Sequence, residues 1–450
     1  MVHPDSVCDT LRSHTPTIVC NTRDFVPLQN RACSRLANPI VTVVPRSTSD
    51  VASVIRLSRA LNTSVSVLGG GHSYTCESAR PGTIQLDMRR FDKITADWNR
   101  FELTTQTGVV FSEVLKVVKR TSHAIAHGGC HSVGTAGFFL HGGIHAPSTR
   151  LVGRGNDTIV SMTVVTYDGS VRTLSNVSSD QSLWKAMRLG GSHFGIATSI
   201  TARFLASESE ASSFIFVISL TTEEFASSWA RIVRETHKNG NLADVTFDGA
   251  GPARLTRLVS EQFDPSSVTV QLSIRNNRGT LGNSYPIQLA RAVSHMVSSF
   301  PLRALPTMWL APFWEDQSLA YDATTNDWTS TFMCVPADCS IETILTRLTD
   351  HFRSYAYYDA QWACWQVIST TTSFDDKMCF EYNCPDVPLF RRELPKIDDF
   401  VKETCSGWTR YSNVKSPEVP TSEYFTNYDE MKAWKRKWDP HNVFLALGPD

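Results

Sequence analysis

The sequence lacks both a dominant charge and a long apolar run. Its 43 Lys and Arg residues are balanced by 44 Asp and Glu residues, and the longest basic cluster is the short KAWKRK at 432–437. A patch for nucleic acid or for an anionic membrane surface therefore has no compositional support. No uninterrupted apolar stretch approaches the ~20 residues that a membrane helix needs. These absences argue against nucleic-acid and membrane partners.

The first residues, MVHPDSVCDTLRSH, lack the charged and then apolar pattern of a secretory signal peptide, so either the chain is not secreted or a signal was removed. The cysteines favour secretion: four of the 11 lie within the first 76 residues and six lie beyond position 330. Such groups are typical of disulfides formed in an oxidising compartment. Glycosylation triplets begin at Asn62, Asn156 and Asn176. The odd total leaves a cysteine unpaired, and Cys130 is the candidate.

The chain of 450 residues is about three times the usual length of a single domain, so we expect two large domains. Glycine is frequent up to about position 205. Beyond it, amphipathic helices predicted at 222–237 and 286–300 alternate with strands such as 267–274, which indicates an α+β domain. A last helix carries Met431, Trp434 and Trp438 on one stripe and stops at Asp439-Pro440.

The first glycine cluster, LGGGHSY at 68–74, follows a strand rather than opening a helix. The order predicted from 41 to 88 is strand, helix capped near Ser47, strand (64–68), glycines, strand (83–88). In dinucleotide-binding and P-loop folds the glycine turn instead leads directly into a helix, so neither applies. The amide groups of a glycine nest can still hold a pyrophosphate.

The second cluster, residues 127–143, holds six glycines and no charged residue. A metal site is one alternative, because nitrogen and sulfur donors recur at His123, His127, Cys130, His131, His141 and His145. The glycines make a continuous helix improbable, and the sequence has no Cys-x-x-Cys pair. The other alternative is that the single histidines are loop residues that hydrogen-bond to neighbouring backbone.

A third interpretation uses both clusters at once. A flat, extended cofactor needs close approach of the main chain along its whole length. Two glycine loops flanking such a cofactor would each place one nucleophilic side chain, His72 and Cys130, near its ring system.

Four ordered segments resemble the berberine bridge enzyme-like family, within the vanillyl-alcohol-oxidase type of FAD-linked oxidases. They are NPIVTVVPRSTSDVASVIRLSRALNTSVSVLGGGHSY (38–74), GGCHSVGTAGFFLHGG (128–143), LWKAMRLGGSHFGIAT (183–198) and YFTNYDEMKAWKRKWDPHNVF (424–444). The resemblance implies a two-domain α+β fold of the PCMH type, with a substrate domain built on an antiparallel sheet covered by helices. The implied divisions are an FAD-binding domain (1–205), a substrate-binding domain (206–415) and a C-terminal segment that returns to the FAD domain (416–450).

The resemblance also implies that FAD is bound covalently at two points. His72 matches the residue that bonds the 8α carbon of the flavin, and Cys130 the residue that bonds C6 through sulfur. Tyr424 matches a candidate catalytic base. The other implied cofactor contacts are Pro45, Gly69, Gly70, Gly71, Ser73, Tyr74, Ser132, Val133, Gly134, Gly137, His141, Gly142, Gly143, Ile196 and Asn427.

The implied activity is removal of hydride from an alcohol, a sugar or an activated C–H group of a small molecule, with O2 reduced to H2O2. Val133 matches a position where valine rather than leucine goes with oxygen access, which favours an oxidase. The alternatives are a dehydrogenase, an oxidative cyclase of a specialised metabolite, and a non-catalytic flavin-binding protein. The last is motivated by residues 131–138, where His131-Ser132 stands for the family's Pro-Thr.

Overall fold

The computed structural model describes most of the N-terminal half and the C-terminal end. The described residues are 3–14, 19–21, 33, 37–73, 75–118, 121, 123–128, 131–143, 153–206, 213–221, 245–250, 267–276, 329–336, 339–340, 343–344, 347, 365–369, 377–384, 387–410, 419–425 and 427–447. Tyr74, Cys130, His145 and the helices predicted at 222–237 and 286–300 lie outside these ranges.

Seven α-helices occur in the described ranges: α1 Pro4–His14, α2 Thr48–Ala60, α3 Phe111–Val118, α4 Thr135–Leu140, α5 Gln181–Gly190, α6 Val387–Thr404 and α7 Tyr428–Trp438. The strands are β1 Val19–Asn21, β2 Val41–Val44, β3 Val65–Leu68, β4 Ile84–Asp87, β5 Ile94–Asp97, β6 Glu102–Gln106, β7 His123–Ala124, β8 Ile159–Val165, β9 Val171–Ser175, β10 Ile196–Arg203, β11 Leu205–Ala206, β12 Ser213–Thr221, β13 Val245–Ala250, β14 Ser267–Asn276, β15 Thr329–Pro336, β16 Trp365–Ser369, β17 Lys377–Cys384 and β18 Thr409–Arg410.

The first sheet contains the segment predicted from the glycine cluster. Its strand order is β1-β2-β4-β3, with β4 parallel to both β2 and β3. Helix α2 connects β2 to β3 and begins with a capping box, in which the Ser47 hydroxyl accepts from the Asp50 amide and the Asp50 carboxylate accepts from the Ser47 amide. Its buried face packs on the sheet through Val51, Val54 and Ile55. The predicted order of strand, helix, strand, glycines and strand is confirmed.

The second sheet is antiparallel, with strand order β5-β6-β10-β8-β9. The turn at Asp168-Gly169, a dipeptide typical of hairpins, joins β8 to β9, and Gly169 adopts a positive φ of 76°. Burial alone would raise the pKa of Asp168, but hydrogen bonds from Thr166 and Ser170 outweigh it and lower the pKa to about 2. Helix α5 is followed by Gly191 as its C-cap, with a positive φ of 40°.

The third sheet lies in the region predicted to bind substrate. Its seven strands are ordered β12-β14-β13-β16-β17-β15-β18, and all of their pairings are antiparallel. An antiparallel sheet in this region agrees with the α+β class expected from the sequence. The domain limits at 205 and 415 remain predictions.

Three disulfides join described cysteines: Cys8–Cys20, Cys33–Cys76 and Cys339–Cys405. Two lie near the N-terminus and one lies beyond position 330, so each of the two cysteine groups contains disulfides, as the distribution along the sequence predicted. Of the helices in the described part of the chain, none has the length and hydropathy of a membrane-spanning segment.

The C-terminal helix packs into the main hydrophobic core. Met431, Trp434 and Trp438 of α7 are buried there with residues of α3, α5 and β10. Ile397 and Val401 of α6 belong to the same core, so the two late helices pack with the N-terminal part of the chain. The apolar stripe predicted for the tail is confirmed, and its partner is the domain that carries the glycine loops.

Candidate cofactor site between two glycine loops

Two loops distant in sequence meet main chain to main chain. We call residues 69–73 and 131–134 the glycine-loop pair. A Cβ placed on Gly70 would stand 2.2 Å from the Gly134 amide nitrogen and 2.7 Å from the Ser132 carbonyl oxygen, so only glycine fits. Two hydrogen bonds hold the second loop at the start of α3. The Phe111 amide donates to the Val133 carbonyl at 3.0 Å, and the Thr135 amide donates to the Val109 carbonyl at 2.9 Å.

His72 lies across this contact. Its Nε2 is 2.8 Å from the Oγ of Ser132, a hydrogen bond that spans the two loops. Burial lowers the pKa of His72 from 6.5 to about 4, although a hydrogen bond with the backbone of Ser132 acts in the opposite direction. The imidazole is therefore uncharged at neutral pH. A neutral imidazole keeps a nucleophilic lone pair on one ring nitrogen.

The C-terminal end of the first loop is restrained by a disulfide and a hydrogen bond. The Cys33–Cys76 disulfide lies four residues beyond His72, and the Ser73 hydroxyl accepts a 3.2 Å hydrogen bond from the Glu77 amide. Gly71 has a positive φ of 74°, which turns the chain into the loop. These contacts restrain the backbone of the loop that carries His72.

The other predicted cofactor contacts occupy several environments. Val133 packs against the main core, and Pro45 and Ile196 are buried, the latter in the core of the first sheet. Gly142 and Gly143 have positive φ values of 113° and 79°, and their carbonyls accept from the amides of Asn156 and Gly155. These two glycines thus pack against the turn that precedes β8.

Gly137 lies inside the short helix α4, and His141 caps its C-terminal end. Gly137 is exposed, and a Cβ there would meet nothing within 4 Å. His141 lies against Gly191, where an added Cβ would stand 3.1 Å from the histidine Nε2. The structure therefore distinguishes Gly137, which tolerates a side chain, from Gly70, which does not.

Two of the histidines considered as metal donors contact different groups. His127 is buried, and its Nδ1 is 2.9 Å from the carbonyl oxygen of Gly128, as predicted for a loop histidine. His123 packs among the rings of Trp98, Phe101 and Phe204, with centroid distances of 5.0, 5.0 and 5.2 Å. The packing of His123 among aromatic rings was not predicted.

Tyr424 and Asn427 belong to the returning C-terminal segment. Tyr424 ends a 3-10 turn, Thr421–Tyr424, and is buried in the main core. Asn427 precedes α7, and its Nδ2 is 3.3 Å from the Oε2 of Glu430. Their predicted roles as base and cofactor ligand remain predictions.

A buried ionic cluster, which we call the tail clasp, was missed in the sequence. The Lys435 ammonium donates to the carbonyls of His193 (2.7 Å) and Leu445 (2.8 Å) and to the Asp439 carboxylate (2.6 Å). Asp439 also accepts from the amides of Val443 and Phe444. The i, i+4 spacing of Lys435 and Asp439 was the available signal. The clasp joins the tail to the turn after α5.

A second ionic cluster supports the segment before Tyr424. The Arg410 guanidinium is buried and bonds to the Asp398 carboxylate of α6 and, at 2.9 Å, to the Glu423 carboxylate. Burial raises the pKa of Asp398, and the charge of Arg410 opposes that shift. The cluster connects α6, β18 and the turn that contains Tyr424.

Comparison with known sequences identifies the domain that carries the glycine loops. Residues 39–175 match the FAD binding domain family. The chain is 29% identical to the glucooligosaccharide oxidase of Sarocladium strictum over 43% of its length, and 33% identical to an uncharacterized oxidoreductase from the fasciation locus of Rhodococcoides fascians over 38%. The matched segments span 37% and 38% of those two relatives.

Solved structures with the same fold match nearly the whole chain. A chitooligosaccharide oxidase has a TM-score of 0.79 at 16% identity, covering 99% of this chain and 100% of its own. Berberine bridge enzyme with (S)-reticuline has a TM-score of 0.76 at 15% identity, covering 99% of each chain. The glucooligosaccharide oxidase of Acremonium strictum is described with a 6-S-cysteinyl, 8α-N1-histidyl FAD. It has a TM-score of 0.76 at 15% identity, covering 98% of each chain.

The glycine-loop pair fits the cofactor of this domain. The lack of side chains at Gly70 and Gly134 lets the two loops touch, and the contact places the neutral imidazole of His72, a nucleophile of the kind that a covalently bound flavin needs, against Ser132. The chain thus contains an FAD-binding domain over residues 39–175 and has the fold of the FAD-linked oxidases that include berberine bridge enzyme and the oligosaccharide oxidases.

Proposed function

We propose that this protein is an FAD-dependent oxidase that holds its flavin through His72 and Cys130. It removes hydride from an alcohol or sugar carbon and passes the electrons to O2, forming H2O2. The observation that carries the proposal is the His72–Ser132 hydrogen bond across two glycine loops whose main chains touch. Cys130 precedes the second loop, two residues before Ser132 in the sequence. A relative of the same fold is described with histidyl and cysteinyl bonds to FAD.

In this proposal the flavin, when bound, accepts the hydride. His72 and Cys130 would fix the ring, while the lack of side chains at Gly70 and Gly134 lets the two loops pack against each other. Tyr424 takes the proton of the substrate hydroxyl as general base, and the Arg410–Glu423 ion pair holds its turn in place. Asn427 hydrogen-bonds the cofactor. Tyr424 shares its buried core with α3, and Lys435 joins the same C-terminal tail to the turn after α5.

Acid precipitation tests the attachment. His72→Ala and Cys130→Ala should each leave the yellow colour in the pellet, because one bond remains, and the double variant should release all of the FAD. The control is the unsubstituted protein, whose flavinyl peptides should contain both residues by mass spectrometry. A wild-type pellet that loses all of its colour contradicts covalent attachment.

A peroxide assay tests the reaction and the substrate class. Cello-, xylo- and chito-oligosaccharides are compared with simple primary and secondary alcohols, and H2O2 is measured with each. The names of the oligosaccharide oxidases that share the fold favour the sugars. Val133→Leu should slow reoxidation of the reduced protein by O2 while leaving reduction by substrate unchanged. Absence of peroxide with every substrate, and no reoxidation in air within minutes, would exclude an oxidase.

We also propose that the protein is secreted, on the basis of the three disulfides found among its described cysteines. Asn62 and Asn176 are exposed, whereas Asn156 is buried and its Nδ2 donates to the Arg188 carbonyl at 3.0 Å. The sequence triplet at Asn156 is therefore not a usable glycosylation site in the folded protein. Expression in a secreting eukaryotic host followed by endoglycosidase should give mass losses from Asn62 and Asn176 only. A glycan on Asn156 would contradict the assignment.

A further inference from the structure

Ser132 is placed to decide which nitrogen of His72 reacts. Its Oγ lies 2.8 Å from Nε2, and the ring also has a hydrogen bond with the backbone of Ser132, so both contacts to the imidazole come from this one residue. Because the imidazole is uncharged, it carries one proton, and the nitrogen without the proton is the nucleophile. The hydrogen bond to Ser132 thus distinguishes the two ring nitrogens.

We propose that Ser132 is the positioning residue for covalent flavin attachment: its hydroxyl oxygen accepts the Nε2–H of His72 and so leaves the lone pair on Nδ1, the nitrogen that would bond to the cofactor. The proposal rests on the proposed function, because it requires a bond between His72 and FAD. It goes further in assigning Ser132 the choice of tautomer and the orientation of the ring. The contact joins residues 60 positions apart, so the two loops must assemble before the ring is oriented.

The step balances as follows. The Nδ1 lone pair of His72 forms the bond to the 8α carbon, and one C–H bond of that methyl group breaks with loss of its proton. The imidazole loses its Nε2 proton, which Ser132 holds in a hydrogen bond as positive charge develops on the ring. The electron pair of the broken C–H bond reduces the ring system by two electrons. O2 takes those electrons and the two protons and becomes H2O2.

The environment of His72 supports this role. The imidazole is partly buried, and the hydroxyl of Ser132 is the hydrogen-bonding side chain that the structure places on its ring. Close contact between Gly70 and Gly134 leaves the two loops little freedom to shift. A hydroxyl at this site therefore has a fixed distance to Nε2, as a residue that orients a ring requires.

The test measures attachment itself. Apoprotein from a riboflavin-starved host, carrying Cys130→Ala so that only the His72 bond can form, is mixed with FAD in air. Fluorescence of the acid-washed protein then gives the rate of attachment. Adding Ser132→Ala should slow attachment on the order of tenfold, the effect of one lost hydrogen bond on a rate. Ser132→Thr, which keeps the hydroxyl, should restore it.

The ring nitrogen through which His72 bonds to FAD distinguishes the two possible roles of Ser132. A merely structural role would not change it. NMR of the isolated flavinyl peptide should show Nδ1 alone with Ser132 and a mixture of Nδ1 and Nε2 with Ser132→Ala. Thermal unfolding and the absorbance of non-covalently bound FAD verify that the variant folds. Attachment of Ser132→Ala at the original rate and only through Nδ1 would overturn the proposal. If the Cys130→Ala protein forms no covalent flavin while Ser132 is present, the proposed bond between His72 and FAD is wrong. That outcome contradicts the proposed function.

Discussion

The glycine-loop pair and the tail clasp each join segments that are far apart in sequence, but they do so with opposite chemistry. In the clasp, the Lys435 ammonium finds three oxygen acceptors and Asp439 accepts two further amides, so the protein satisfies its own charges. In the loop pair, uncharged main chain meets uncharged main chain beside a neutral imidazole. The fully satisfied cluster is therefore structural, whereas in the loop pair the neutral imidazole of His72 keeps a nucleophilic lone pair for the proposed bond to a cofactor.

The largest effect is expected at the contact between the loops. Gly70→Ala places a methyl group 2.2 Å from the Gly134 nitrogen, where rigid backbone cannot yield, so the loops must separate. We expect complete loss of covalent flavin, measured as colour in the acid-precipitated pellet.

Gly137→Ala is the matched control. The added methyl group enters open space within α4, and alanine favours a helix over glycine by up to about 1 kcal/mol. We expect equal or slightly higher thermal stability. If both variants kept their flavin equally well, close contact of the main chains would not be needed for the cofactor site.

A smaller but still large effect is expected in the clasp. Asp439→Asn removes the counter-charge of a buried ammonium, and breaking such a pair costs about 3–5 kcal/mol. Because burial already lowers the pKa of Lys435, with Asp439 opposing that shift, the variant should lower it further. Denaturant unfolding measures the loss.

Lys435→Met and the double variant complete the thermodynamic cycle. Removing both charges leaves no unpaired ion, so the double variant should be more stable than the sum of the single changes predicts, with a coupling of about 0.5–3 kcal/mol. Additive losses would show that the clasp is not a single unit, and the contrast with the loop pair would disappear.

The smallest expected effect is a pH dependence. Burial lowers the pKa of His72 to about 4, so the imidazole loses its nucleophilic lone pair only as pH falls through that value. In the Cys130→Ala apoprotein, the rate of flavin attachment should stay level from neutral pH to about pH 5 and fall below it, whereas an ordinary histidine would protonate near 6.5. Circular dichroism at each pH monitors folding. A midpoint near 6.5 would mean that His72 is solvated before FAD binds.

Much of the local structure could be predicted because short-range chemistry decides it. Ser47 and Asp50 form the capping box, Asp168-Gly169 forms the hairpin turn, and Gly191 ends α5, each within a few residues of chain. The stripe of Met431, Trp434 and Trp438 follows from helical period alone. The status of Asn156 could not be predicted, because its burial depends on Arg188 of another element.

By itself, the sequence determined the order of elements, the two glycine clusters and the residue types that make an FAD-binding domain, since all of these are local patterns. Only the tertiary structure decided which groups meet: Ser132 with His72, Gly70 with Gly134, Cys33 with Cys76, and Lys435 with the carbonyls of His193 and Leu445. The physical reason is that such contacts depend on how whole loops and helices pack, and spacing along the chain does not encode the distance between atoms of separate elements.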